Sequence, residues 1–183
     1  MGFEHPSTLK ASVALAECLT LLEEHAKASD LNLKVLIARE RALGFDHPNT
    51  QVVAHNLAWN LLESGDLERS VAIGQRVLAS RERTIGLAHE HTIMTGMNLA
   101  AALFDLKKFA EARDLYVRLL VANKQVFGPN HRDTRRIATY LTETRKNLLD
   151  FALANDKLAR NLDALAMLKA QSNRANLGAN ANN

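Results

Sequence analysis

The chain has 183 residues, 47% of them hydrophobic, which is enough to bury a substantial core. Its single cysteine, Cys18, excludes an internal disulfide, and its apolar neighbours predict a small packed side chain. The formal charge of +3 is unevenly placed: residues 1–130 carry 14 Lys/Arg against 15 Asp/Glu, and residues 131–183 carry 9 against 5.

Residues 1–10 hold no apolar run and so no signal peptide, and Pro6 stands where a myristoylation motif needs Ser or Thr. No apolar stretch approaches the roughly 20 residues of a membrane helix. These features predict a soluble, cytoplasmic protein with no membrane contact.

The chain repeats every 42 residues. Gly2, Gly44, Gly86 and Gly128 keep that spacing, as do His5, His47, His89 and His131, and Thr8, Thr50, Thr92 and Thr134. Such a period marks a stack of supersecondary units, one array over residues 2–170 with copies at about 2–43, 44–85, 86–127 and 128–169.

In copy one, Glu23-Glu24-His25 takes the turn position without glycine or proline, and Asp30 is positioned to cap a second helix. Copy two is the clearest. Pro48 suits a first helical position, and Val53, Leu57, Ala58, Leu61 and Leu62 line one helical face. Ser64-Gly65-Asp66 breaks that helix. Leu67, Val71, Ile73, Val77 and Leu78 form a second, which Gly86 closes as a left-handed cap. Copy three follows the same map, with helices at about 90–106 and 109–127, a turn at Leu106-Lys107-Lys108 and Gly128 as cap.

Copy four sets its turn at Leu149-Asp150-Phe151 and has Asn161 where copies two and three have Val77 and Leu119. Ala16, Ala58 and Ala100, with Ala28, Ser70, Ala112 and Ala154, mark close helix approaches. The expectation is all-α: a right-handed α-solenoid of eight helices in four antiparallel pairs. Residues 171–183, rich in Asn, are expected to be a disordered tail. Because the chain opens on the repeat marker, it reads as a fragment of a longer array.

Several strings carry a resemblance: His55-Asn56-Leu57-Ala58, Gly65-Asp66-Leu67, Arg81-Glu82-Arg83-Thr84-Ile85-Gly86, Asn98-Leu99-Ala100 and Phe109-Ala110-Glu111-Ala112. They resemble the tetratricopeptide repeat, and most closely its 42-residue kinesin light chain subtype. The heptads that precede the repeats in a kinesin light chain are absent from this sequence.

The resemblance implies that the first helix of each pair lines a concave groove. Copy two then contributes Val52, His55, Asn56, Trp59, Leu62 and Glu63, and copy three Met94, Met97, Asn98, Ala101, Phe104 and Asp105. Copy four contributes Arg136, Thr139, Tyr140, Glu143, Lys146 and Asn147. Asn56 and Asn98 match asparagines that hold a peptide backbone in the family, a role suited to an amide that donates and accepts. Trp59, Met94, Met97, Phe104 and Tyr140 form an apolar patch on that face. The carboxylate clamp of chaperone-binding relatives is missing.

The four phased histidines fall one per loop, about 10 Å apart, too far to share a metal, and read as structural. No phosphate loop, nucleophile elbow or HExxH occurs, so no enzyme class, metal or cofactor gains support. The leading expectation is a module binding a protein or peptide in its groove. A second is assembly, an end repeat packing on another copy or on a neighbouring repeat. Nucleic-acid contact through the basic last copy is the weakest, because the basic residues lack interleaved aromatics beyond Tyr140.

Overall fold

The computed structural model describes the backbone of residues 2–180, and the side chains of that range except 164, 166 and 168–180. Helices α1 (Pro6–Leu21), α2 (His25–Leu43), α3 (Pro48–Glu63), α4 (Leu67–Ile85), α5 (Glu90–Asp105), α6 (Phe109–Phe127) and α7 (Arg132–Asn180) hold nearly all of it. No strand occurs among the described residues. The three complete pairs are superimposable in length, 16 residues then 19.

Each repeat starts on its histidine. His5, His47 and His89 are N-caps whose Nδ1 accepts the backbone N–H two residues on, at 3.3, 3.2 and 3.2 Å, and His131 does the same for Asp133 at 3.3 Å. An imidazole nitrogen here takes the place of the usual Ser or Asp oxygen. Inside each pair, Glu23 (φ 60°), Gly65 (φ 83°) and Lys107 (φ 62°) turn the chain left-handed. The next amides reach back to Leu19, Leu61 and Leu103, the Schellman arrangement.

The marker glycines behave otherwise than expected. Gly44, Gly86 and Gly128 have φ of 80–86° but ψ of 157–171°, an extended positive-φ conformation open essentially to glycine alone.

Packing follows the phase. Val35, Val77 and Leu119 are fully buried, and Ala28, Ser70 and Ala112 let paired helices close. A Cβ on Gly96 would lie 2.7 Å from Leu119 Cδ2, so α5 and α6 touch where any side chain at 96 would displace Leu119. Repeats are joined by one position of the second helix. Arg39 donates to Asn49 O at 2.7 Å, Arg81 to His91 O at 2.8 Å, and Asn123 to Thr134 Oγ1 at 2.9 Å. Ion pairs recur in register on the surface, Glu4–Arg41 with Asp46–Arg83 and Glu40–Arg76 with Glu82–Arg118.

The chain divides into two units, residues 1–144 and 145–183. The first is the α-solenoid: three antiparallel pairs and the start of α7. In the second, α7 continues as helix, and every side chain from 149 to 163 is exposed. The expected turn at Leu149-Asp150-Phe151 and the eighth helix do not form. A second helix in copy four would set Asn161 at the buried phase of Val35, Val77 and Leu119. It would also oppose Lys124 to Arg160 where the other copies pair Glu40 with Arg76 and Glu82 with Arg118. With neither contact available, nothing offsets a left-handed Leu149. The Asn-rich tail is helical in backbone to Asn180, and 181–183 lie outside the described residues.

Two local expectations change as well. Cys18 is exposed, not packed. Its counterparts Asn60, Ala102 and Thr144 are buried to 1%, 0% and 1% exposure because a preceding repeat covers them, and copy one has no preceding repeat among the described residues. Asp30 lies inside α2, whose N-cap position is Glu24, and so caps nothing.

Leu99→Ala empties a buried site between repeats and is expected to cost roughly 2–5 kcal/mol in urea melts. Leu165→Ala, on exposed α7, is expected to cost under about 0.5 kcal/mol. Equal losses would contradict this packing map.

Candidate functional site

The first unit carries a cavity of about 540 Å³. Its wall comes from Trp59, Leu62 and Glu63 of α3, from Met97, Asn98, Ala101, Phe104 and Asp105 of α5, from Tyr116 of α6, and from Arg136, Tyr140, Glu143 and Thr144 of α7. Helical phase explains the assembly. Residues 59, 101 and 143 are one repeat apart on successive first helices, as are 62 and 104, 63 and 105, and 98 and 140. Stacking of like helices therefore brings like positions side by side.

Of the residues expected in the groove, the cavity gathers Trp59, Leu62, Glu63, Met97, Asn98, Ala101, Phe104, Asp105, Arg136, Tyr140 and Glu143. Val52, His55, Asn56 and Met94 lie on the same helices but outside its wall. Val52, Trp59, Met94 and Tyr140 are exposed, as an open apolar face requires. Met97 is not: it is buried in the core, with Arg136 Nη2 3.5 Å from its sulfur. Asn56 and Asn98 are half-buried, and their side-chain amides form no hydrogen bond among the described residues.

Tyr116 had the signature of a core position, and it is 3% exposed. Its ring lies 5.9 Å from that of Tyr140, and the residue forms part of the cavity wall. Burial above all, then the nearby Tyr140, Glu143 and Asp105, holds its phenol protonated well above the ordinary tyrosine range. The available signal was the phase: the counterparts are Asn32 and Gly74, so the position is not uniformly apolar.

His55 is half-buried beside the groove. Its Nδ1 lies 3.2 Å from Thr95 Oγ1, which also accepts from Arg81 at 2.6 Å. Burial, followed by the charge of Arg81 and the nearness of His91, lowers its pKa to about 4, so the ring is neutral at physiological pH. At the loop edge a smaller cavity of about 200 Å³ lies among Glu90, Ile93, Asn123, Phe127, His131, Arg132 and Asp133. Among the described residues no three His, Cys, Asp or Glu gather as a metal site, and no helix is long and apolar enough to cross a membrane.

Family comparison agrees with this architecture. Tetratricopeptide repeat models match residues 7–83 and 92–133, together more than half of the chain. No curated protein matches it. Among solved structures, a variant of a Podosopora anserina protein described as a kinesin light chain with nearly identical TPR-like repeats aligns with TM-score 0.76 and 20% identity. The alignment covers 87% of this chain and 76% of that one. A second structure of that protein gives TM-score 0.70 and 20% identity over 78% of this chain and 68% of that one. BtubC (BKLC) from P. vanneervenii gives TM-score 0.71 and 16% identity over 79% of this chain and 58% of its own. At these identities the likeness is one of fold.

This imidazole gives the fold a pH signature. In the unfolded chain a histidine binds its proton near pH 6.5, whereas His55 in the fold does so only near 4. Between those values the unfolded state binds more protons. The contribution is therefore complete above about pH 6.5 and declines as pH falls toward 4, by at most about 3 kcal/mol. Urea melts at several pH values are expected to show a shallower decline for His55→Gln than for the parent chain. Parallel curves would assign the loss to other groups.

Proposed function

Because the chain belongs to the tetratricopeptide repeat family, we propose that it is a protein-interaction module that captures an extended peptide or protein segment along the face formed by α3, α5 and the start of α7. The observation that carries this reading is the pair of amides, Asn56 and Asn98. They are one repeat apart, half-buried, and bonded to nothing among the described residues. A peptide group offers each of them a donor and an acceptor. The exposed rings of Trp59 and Tyr140 supply apolar area beside them. No reacting constellation accompanies these groups, and a binding role needs none.

A second reading, assembly with another repeat or another copy, has its own observation. Leu149, Phe151, Leu153, Leu158 and Leu162 are all exposed on α7. Mass by size exclusion at two concentrations separates it from a purely peptide-binding role.

Trp59 is the single tryptophan, so its emission reports the groove directly. A bound segment is expected to shift or quench it. The double variant Asn56→Ala/Asn98→Ala is expected to keep the helical circular dichroism and weaken binding by roughly 1–3 kcal/mol. Unchanged affinity together with unchanged emission would move the contact to another surface.

A further inference from the structure

Glu63 is the last residue of α3 and Asp105 the last of α5. A carboxylate there faces the negative end of its own helix, where the backbone carbonyls favour a cation. Both side chains are exposed, both line the cavity, and neither joins an ion pair among the described residues. The arrangement recurs one repeat apart, so two helices carry the same unfavourable end charge toward the same space.

The rest of the wall has matching character. Glu143 adds a third carboxylate, and Arg136 is the one cation in the wall. Trp59, Phe104, Tyr116 and Tyr140 line the cavity as well, and the face of an aromatic ring is electron-rich and attracts cations and not anions. Tyr116 is 3% exposed and forms part of the cavity wall beside Tyr140, their ring centroids 5.9 Å apart. An acidic segment entering here would meet like charge at Glu63 and Asp105. An apolar one would strip water from those carboxylates without replacing it.

We propose that the segment held in the groove inserts a lysine or arginine side chain into this cavity, with Glu63 and Asp105 as its charge partners and the aromatic wall as its platform. This rests on the groove reading above and adds the chemistry of the ligand. The cation balances the two carboxylates and the negative ends of the helices that carry them, which a neutral side chain cannot do. Binding then weakens with ionic strength, because both carboxylates are at the surface.

The test uses the full chain and three acetylated, amidated nonapeptides of alternating Ala and Ser. They carry arginine, norleucine or glutamate at three alternate positions, and titrations are followed by Trp59 emission and calorimetry. The arginine peptide is expected to bind roughly tenfold or more tightly than the norleucine peptide, and the glutamate peptide least. Glu63→Gln/Asp105→Asn is expected to remove most of that preference with unchanged helical signal, whereas Arg136→Gln strengthens arginine-peptide binding. Equal affinity of the three peptides, or preference for glutamate, overturns the cation assignment and leaves the groove reading intact if Asn56→Ala/Asn98→Ala still weakens binding. A charge preference that survives that asparagine variant at full strength supports the cation pocket and removes the backbone-holding role. Failure of all three peptides to bind overturns both.

Discussion

Arg81 is where three helices are held together. From α4 it donates to His91 O and Thr95 Oγ1 on α5, at 2.8 and 2.6 Å, and to Gln51 O on α3 at 3.4 Å. It is 3% exposed and burial lowers its pKa, yet its partners are carbonyls and a hydroxyl and not a carboxylate. A buried guanidinium is tolerable only when its N–H groups are satisfied, and here that need fixes the spacing of two successive repeats. Arg39 and Asn123 hold the same position in the neighbouring copies and reach the first turn of the next repeat's first helix. Register along the stack therefore depends on hydrogen bonds of one phase, with the surface ion pairs contributing little.

The same dependence explains the two outer copies. Every repeat buries its inner face only if another repeat lies against it, so a terminal copy is judged by the contacts it can still make. Copy one has no covering repeat among the described residues, and Cys18 is exposed at a phase that is otherwise closed. In copy four the second half offers Asn161 for a core aliphatic and Arg160 opposite Lys124, and the chain stays helical through Leu149. Glu23 and Lys107 show that a left-handed turn does not require glycine at this position. It requires a second helix with something to pack against.

Much of the fold was legible because periodicity is a local property of sequence. The phases of Leu57, Val77, Leu99 and Leu119 named the core, and the boundaries of α3 through α6 followed from Pro48, Gly65 and the two later glycines. What escaped depended on neighbours in space. The recurring histidines were readable as structural, but their role as N-caps needs the Nδ1 lone pair aimed at the amide two residues on. The glycine phase was readable, but not that ψ near 160° admits glycine alone. In the site, phase alone brought most of the wall together. Tyr116 was missed because an aromatic at a buried phase looks like core whether or not a cavity lies beside it.

Recurrence within a repeat protein has two physical sources, and the packing separates them here. Residues such as Ala58 and Ala100, or Val77 and Leu119, recur because each interface demands the same shape. Asn56 and Asn98, with Glu63 and Asp105, also recur, but no interface uses them. Their side chains are unbonded among the described residues, and the two carboxylates oppose the helix ends they stand on. Local rules broken without benefit to the fold are where function is to be sought. Copy one carries Ala14 and Leu21 at those phases and copy four Tyr140 and Asn147, so the exception is confined to the two central repeats. The central repeats are also those with a covering neighbour on each side, and hence the part of the array best able to hold a preorganised site.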